Sequence, residues 1–322
     1  GWAADGMFLR KRPHNRRVFG QHGRLTFCRT ATGGQRRMVW ARMAKPGDGD
    51  VIRVDDGFLR SRGLGVALTP PLSLVADDVG IYYDPTRESR LERLIARSCD
   101  LPEPEIARAR RLVDRITSEG LSKYGIGARP PDLPPGHRIL VPGQVADDAS
   151  ITTAAGQIAT DAALLELVRR RAPEAVIVYK PHPDVVAGFR SGTRQIEGAD
   201  VTLSHADPAK LLDQVDAVWT MTSLMGFEAL LRGLPVTTTG APFYAGWGLT
   251  TDLGDVPARR KARPSIEALA HAALIGYPRY SDPVTGLAIS PEAAVDRLVL
   301  GPHRPARGVL AGLQELRARA KR

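Results

Sequence analysis

At 322 residues the chain is long for one domain and comfortable for two, and its 43% hydrophobic and 25% charged residues describe a globular protein with a sizeable core rather than a disordered one. Two cysteines, Cys28 and Cys99, exclude a disulfide framework and lack metal-ligand spacing, in keeping with a reducing compartment, and no apolar run approaches the ~20 residues that cross a bilayer. The formal charge of +10 suits an anionic partner (nucleic acid, acidic headgroups, a phosphorylated or carboxylated substrate) or reflects only a genome that favours Arg.

The first stretch, to about Pro46, reads as basic and irregular, with an arginine-rich run over residues 10–17. Met38-Val39-Trp40 and Val51-Ile52-Arg53-Val54 read as short strands, the second running into Asp55-Asp56-Gly57-Phe58. Residues 71–75 and 81–84 read as two strands around an Asp-Asp-Val-Gly turn. Helical periodicity marks residues 89–98, with Leu91, Leu94 and Ile95 on one face, and residues 103–119. The stiff Pro130-Pro131-Asp132-Leu133-Pro134-Pro135-Gly136 propagates neither helix nor sheet, so it divides residues 1–135 from a second unit, 136–290. That unit alternates strands (138–142, 175–179, 217–220, 234–238) with helices (160–171, 208–214, 223–232), as a doubly wound parallel α/β domain does. Residues 291–322 read as a helical tail.

In parallel α/β domains ligands bind at the carboxyl ends of strands, which singles out four loops. The first, Pro142-Gly143-Gln144-Val145-Ala146-Asp147-Asp148-Ala149-Ser150, offers adjacent carboxylates: a nucleophile or base, or a plain helix cap. In the second, Lys180-Pro181-His182-Pro183-Asp184, two prolines stiffen a histidine and Lys180 adds charge, which suits a phosphate. The third, Thr220-Met221-Thr222-Ser223-Leu224-Met225-Gly226-Phe227-Glu228, passes from strand to helix through hydroxyls, an anion site or an ordinary cap. In the fourth, Pro242-Phe243-Tyr244-Ala245-Gly246-Trp247-Gly248, aromatics either stack on a base or sugar or plug a cleft. In the first half, Asp55-Asp56-Gly57-Phe58-Leu59-Arg60-Ser61-Arg62 sets acids beside arginines that could grip a carboxylate, or is a solvated turn. No Walker loop, dinucleotide fingerprint, HExxH motif or nucleophile elbow occurs.

These blocks, together with Gly63-Leu64-Gly65, Pro71-Leu72-Ser73-Leu74-Val75 and Gly80-Ile81-Tyr82-Tyr83-Asp84, stand in the order seen in the KpsC family of capsule polysaccharide β-Kdo transferases, and the chain resembles that family from about Trp40 to Gly286. Pro-Gly-Gln-Val and Tyr-Lys-Pro-His-Pro-Asp are similar to the C-terminal of its two tandem modules. The resemblance implies a GT-B fold, two Rossmann-like α/β domains facing across a cleft. Residues 1–135 would bind the acceptor, 136–290 the donor, and 291–322 form a helical segment. It implies a retaining transferase that moves Kdo from CMP-β-Kdo to a Kdo-terminated, phosphatidylglycerol-type glycolipid in capsule linker synthesis, in β-(2→7) linkage, through an aspartate–Kdo adduct. Asp148 would be the nucleophile, with Asp147 as the alternative, and Asp55, where the family usually has Glu, the general base. Gln144, Lys180, His182, Pro183, Thr222, Ser223, Gly226 and Glu228 would hold the donor, Lys180 and His182 at its phosphate and Glu228 at its ribose. On charge alone Arg60 and Arg62 would meet a Kdo carboxylate, and Tyr244 and Trp247 would touch the Kdo or the acceptor. No metal or cofactor and no nucleic acid is implied. A tandem module and an anionic inner-membrane surface are the partners, and the location is cytoplasmic and peripheral. The rival readings are a non-catalytic binding module and an inverting transferase with Asp55 as base.

Overall fold

The computed structural model describes residues 2–300 apart from 6, 21, 22, 24, 29–35, 46, 47, 49, 62–69, 124–126, 191, 194 and 195. Arg62, the Gly63-Leu64-Gly65 block and the tail beyond residue 300 lie outside the described residues.

Along the first half run β1 (Trp2–Asp5), α1 (Arg12–Phe19), β2 (Leu25–Phe27), β3 (Arg36–Trp40), β4 (Val51–Asp56) and β5 (Ser73–Asp77). Two helices follow, α2 (Arg90–Arg97) and α3 (Glu103–Ser118). Ser89 starts α2 in a capping box with Glu92, and α3 turns Ala109, Leu112, Val113 and Ile116 inward. The second half holds β6 (Arg138–Pro142), α4 (Ala149–Ala154), α5 (Asp161–Arg171), β7 (Val176–Lys180), α6 (Pro183–Val186), β8 (Val201–Thr202), α7 (Pro208–Leu212) and β9 (Ala217–Thr220). It continues through α8 (Leu224–Leu230), β10 (Val236–Thr238), β11 (Thr251–Asp252), α9 (Ile266–Ala270), β12 (Pro278–Ser281), β13 (Ala288–Ile289) and α10 (Pro291–Leu300).

Two sheets result. One is six-stranded, parallel throughout, in the order β11-β10-β9-β6-β7-β8. Its central strands are buried on both faces, which explains their unbroken apolar sequence. The chain passes from β6 to β7 on one side and returns to β9 on the other. The loops after β6 and β9 therefore diverge at a topological switch point, where a crevice opens. The other sheet is seven-stranded and mixed, in the order β13-β12-β5-β4-β3-β1-β2. A mixed α/β fold with two sheets is thus established.

Three expectations change. The described residues of the first stretch hold regular elements: β1 and β2 flank α1, whose inward face is only Asn15, Val18 and Phe19, too sparse among its charges for a periodicity to register. Residues 81–84 form turns rather than a strand, because β12, from the far end of the chain, occupies the place beside β5. Asp77 holds that loop instead, its Oδ1 accepting the backbone N–H of Val79 (2.9 Å) and Gly80 (2.8 Å). Finally, β12 and β13 belong to the seven-stranded sheet, so sheet membership does not follow the expected unit 136–290.

The halves share one core. Phe58 after β4 stacks on Phe243 at 4.6 Å between ring centroids, and Phe227, Tyr82 and Tyr277 complete the cluster. Beside it, buried Glu92 accepts from Arg259 Nε (2.8 Å) and Arg260 Nε (2.6 Å), and Arg260 Nη1 also donates to the Pro242 and Ala245 carbonyls.

Candidate active site

Between the sheets lies a cavity of about 710 Å³. The carboxyl ends of β6, β7 and β9 form one wall; Lys11, Trp40, Asp55, Asp56, Tyr82 and Tyr83 form the other. Of the expected site residues, Asp55, Gln144, Asp147, Asp148, Lys180, His182, Pro183, Thr222, Ser223 and Glu228 line it together.

Asp148 caps α4. Its Oδ2 accepts from the backbone N–H (3.3 Å) and hydroxyl (2.8 Å) of Ser150, which fixes the carboxylate and leaves Oδ1 without a hydrogen bond among the described residues. Capping therefore engages only one of the two carboxylate oxygens. Asp147 differs: its side chain is 72% exposed and accepts from Arg190 Nη2 at 2.8 Å, and that hydrogen bond holds its carboxyl below the usual range.

His182 caps α6 by accepting the Asp184 N–H at Nδ1 (3.1 Å). With Nδ1 an acceptor, the proton of the neutral ring belongs on Nε2. Burial, reinforced by Lys123, pushes this imidazole down to about 4, so near neutral pH it is an uncharged donor. Lys180, at the end of β7, is pushed down to about 8 by burial, against the raising pull of Asp207 and Glu228. One polar donor and one buried cation thus stand in a crevice, a pairing suited to a phosphate.

Several predicted ligands serve as braces. Gln144 spends its amide on the β9 loop: Nε2 donates to Thr222 Oγ1 (2.8 Å) and Oε1 accepts the Thr222 N–H (3.0 Å). Glu228 is buried, its carboxyl pushed up by desolvation, and Oε1 accepts the Lys123 N–H at 2.7 Å, tying α8 to the segment after α3. Gly226 leaves room for Tyr244: a Cβ there would stand 2.3 Å from the tyrosine oxygen. Tyr244 and Trp247 are fully buried and absent from the cavity lining, so they do not contact a ligand there. Tyr244 Oη donates to the Ser223 carbonyl (2.5 Å) and Trp247 Nε1 to that of Phe243 (2.8 Å); packing claimed both rings. Arg60 is likewise buried outside the lining, donating from Nε to Asp56 Oδ2 at 2.9 Å.

On the opposite wall the paired acids separate. Asp56 also accepts from Lys11 Nζ at 3.1 Å, and these two cations hold its carboxyl far below the usual range despite burial. Asp55 has neither partner; burial, then the Asp56 charge, pushes its carboxyl well above the usual range. A carboxyl raised in this way on a cavity wall suits proton transfer. Tyr82 and Tyr83 lie within electrostatic reach of both Asp55 and Asp148, which sets the two acids across one space. Sequence reasoning missed Lys11, Lys123 and Arg190, because nothing local marks a cation that folding carries to a distant acid. Among the described residues no group of three or more His, Cys, Asp or Glu side chains could hold a metal ion.

A family model described as "Capsule polysaccharide biosynthesis protein" matches residues 27–124 and 133–280. The chain is 46% identical over 255 residues to the capsule polysaccharide modification protein LipA of Neisseria meningitidis serogroup B, covering 77% of this chain and 36% of that protein. To the lipopolysaccharide-processing protein LpsZ of Rhizobium meliloti it is 45% identical over 274 residues, covering 81% of this chain and 62% of that protein. The chain therefore spans less than two thirds of the length of either relative. Among solved structures, Thermosulfurimonas dismutans KpsC, beta Kdo 2,4 transferase, superimposes with a TM-score of 0.82 at 31% identity, covering 92% of this chain and 97% of that one. The beta Kdo 2,7 transferase of the same organism's KpsC gives 0.77 at 34% identity, covering 93% and 98%.

Proposed function

The chain belongs to the capsule polysaccharide biosynthesis family, and on that premise we propose that it is a retaining β-Kdo transferase using CMP-β-Kdo as donor. The observation that carries the reading is the shared cavity, in which Asp148, Lys180 and His182 face Asp55. The proposed arrangement is GT-B, with the six-stranded sheet on the donor side and the seven-stranded sheet on the acceptor side. The solved KpsC transferases support the sugar. The acceptor is a Kdo-terminated glycolipid of the phosphatidylglycerol type, and the proposed linkage is β-(2→7).

In the first displacement Asp148 Oδ1 attacks the anomeric carbon while the bond to the CMP phosphate breaks. Lys180 and the His182 Nε2–H take up the charge that develops on the leaving phosphate. In the second, an acceptor hydroxyl passes its proton to Asp55 as its oxygen bonds the anomeric carbon, and Asp148 departs as a carboxylate. Two inversions retain configuration. The Asp148 cap suits this role because the attacking oxygen is oriented before the donor arrives.

Intact-mass measurement after incubation with CMP-Kdo tests the reading. A Kdo adduct is expected in the wild type and in Asp147→Asn, and is lost in Asp148→Asn. The competing mechanism is a single inverting displacement with Asp55, on the cavity wall, as base. In that case Asp148→Asn retains turnover and no adduct forms in any variant.

A further inference from the structure

Lys11 precedes the residues that the family model matches, yet it lines the cavity. It ends the turn that leads into α1, and Asn15 pins that turn by donating from Nδ2 to the Lys11 carbonyl (2.9 Å). The ammonium stands 3.1 Å from Asp56 Oδ1 and 3.9 Å from the centroid of the Trp40 ring, with only 13% of the side chain exposed. Asp56 in turn donates its backbone N–H to Asp55 Oδ1 at 2.7 Å.

We propose that Lys11 is a positioning residue for acceptor activation: with Arg60 it clamps the Asp56 carboxylate, so that Asp55 alone of the pair is left to receive the acceptor's proton. The inference rests on the acceptor-side role given to Asp55 above. Two adjacent acids in one low-dielectric wall cannot both titrate freely; whichever is better paired stays ionised and the other carries the exchangeable proton. Here pairing is one-sided. Lys11 donates to both oxygens of Asp56 and Arg60 donates to Oδ2 as well, whereas Asp55 holds a single backbone N–H. The charged and titratable groups that act on Asp55 are Asp56 from its own strand, Lys11 from the turn before α1 and Lys123 from the segment after α3, with Tyr82 and Tyr83 from the loop after β5. Lys11 lowers the titration of Asp55 directly, and its removal also weakens the hold on Asp56. Both effects have the same sign. Without Lys11 the last proton leaves the pair at higher pH.

The test is Lys11→Met and Lys11→Arg, read in two ways. With CMP-Kdo and a Kdo-terminated glycolipid, the acidic limb of the kcat/KM–pH profile is expected to move up by about one pH unit in Lys11→Met, with activity recovering at high pH, and to return in Lys11→Arg. Carboxyl ¹³C NMR of Asp55 in the unliganded protein is expected to show the same displacement. A limb and a carboxyl titration that stay put in Lys11→Met overturn the inference, as does an equal loss at every pH that Lys11→Arg fails to restore. If the carboxyl titration moves but the wild type transfers no Kdo, the Lys11 clamp stands and the transferase reading is what fails.

Discussion

Lys180 ends β7 with its side chain buried to 5% exposure and without a hydrogen bond or ion pair among the described residues. A cation held that way is costly when unliganded. Burial takes its titration from the usual 10.5 to about 8. Between those values the unfolded chain binds more protons than the folded one, so this residue makes stability rise with pH across that window and weighs most against folding below it. Lys180→Met is therefore expected to stabilise the protein at pH 7, by up to about 3 kcal/mol, with the gain vanishing towards pH 10. The same variant loses the thermal protection that CMP gives the wild type. Thermal melts from pH 7 to 10, with and without CMP, check both halves; a destabilised variant that still responds to CMP would contradict the assignment. This residue was legible in sequence because it sits beside two prolines at a strand end. Lys11 was not, since its significance depends on Asp56, brought within 3.1 Å across a separation of 45 residues.

Elements with a strong local pattern were read correctly where burial imposed it. The parallel strands β6, β7 and β9 show continuous apolar sequence because both faces are covered. Ser89, Thr160 and Ser223 announce the helices they cap. The aromatic loop after β10 shows the limit of such reading. A ligand-stacking ring and a core ring have the same sequence signature, and only the space left by a facing element tells them apart. At Gly226 that space is filled by Tyr244. Gly226→Ala is expected to overpack this contact, destabilising by about 1–3 kcal/mol. Removing the opposing oxygen in Gly226→Ala/Tyr244→Phe should recover part of the loss, less the hydrogen bond to Ser223. Denaturant unfolding of the four members of this cycle measures the coupling, and additive effects would mean that Tyr244 is not what excludes a side chain at position 226.

At the scale of the whole molecule, a net charge of +10 raised the expectation of an anionic partner but said nothing of where it binds. The fold supplies a candidate face for the membrane association that a lipid-borne acceptor would require. Arg12, Arg16 and Arg17 line a groove along α1, shared with Leu9, Phe27 and Gly286. Leu9 at one end of the helix is 75% exposed, and Val284 and Leu287, flanking Gly286 beyond the other end, are 74% and 66% exposed. Guanidiniums bracketed by exposed apolar side chains match the headgroup and acyl layers of an anionic bilayer better than a nucleic acid, which offers the apolar groups nothing. The cleft opens nearby, since Phe8 and Lys11 of the same turn line it. No helix among the described residues is long and apolar enough to span a membrane. Vesicles rich in phosphatidylglycerol should bind the protein at low salt, and neutral phosphatidylcholine vesicles should not. At about 1 kcal/mol for each basic residue near the surface, Arg12→Gln/Arg16→Gln/Arg17→Gln should weaken binding on the order of a hundredfold. Leu9→Ser/Val284→Ser/Leu287→Ser should remove whatever binding survives high salt, because the apolar contribution is not screened. Binding unchanged by either triple variant would move the attachment to another part of the molecule, and no binding at low salt would end the proposal that this protein works at a membrane surface.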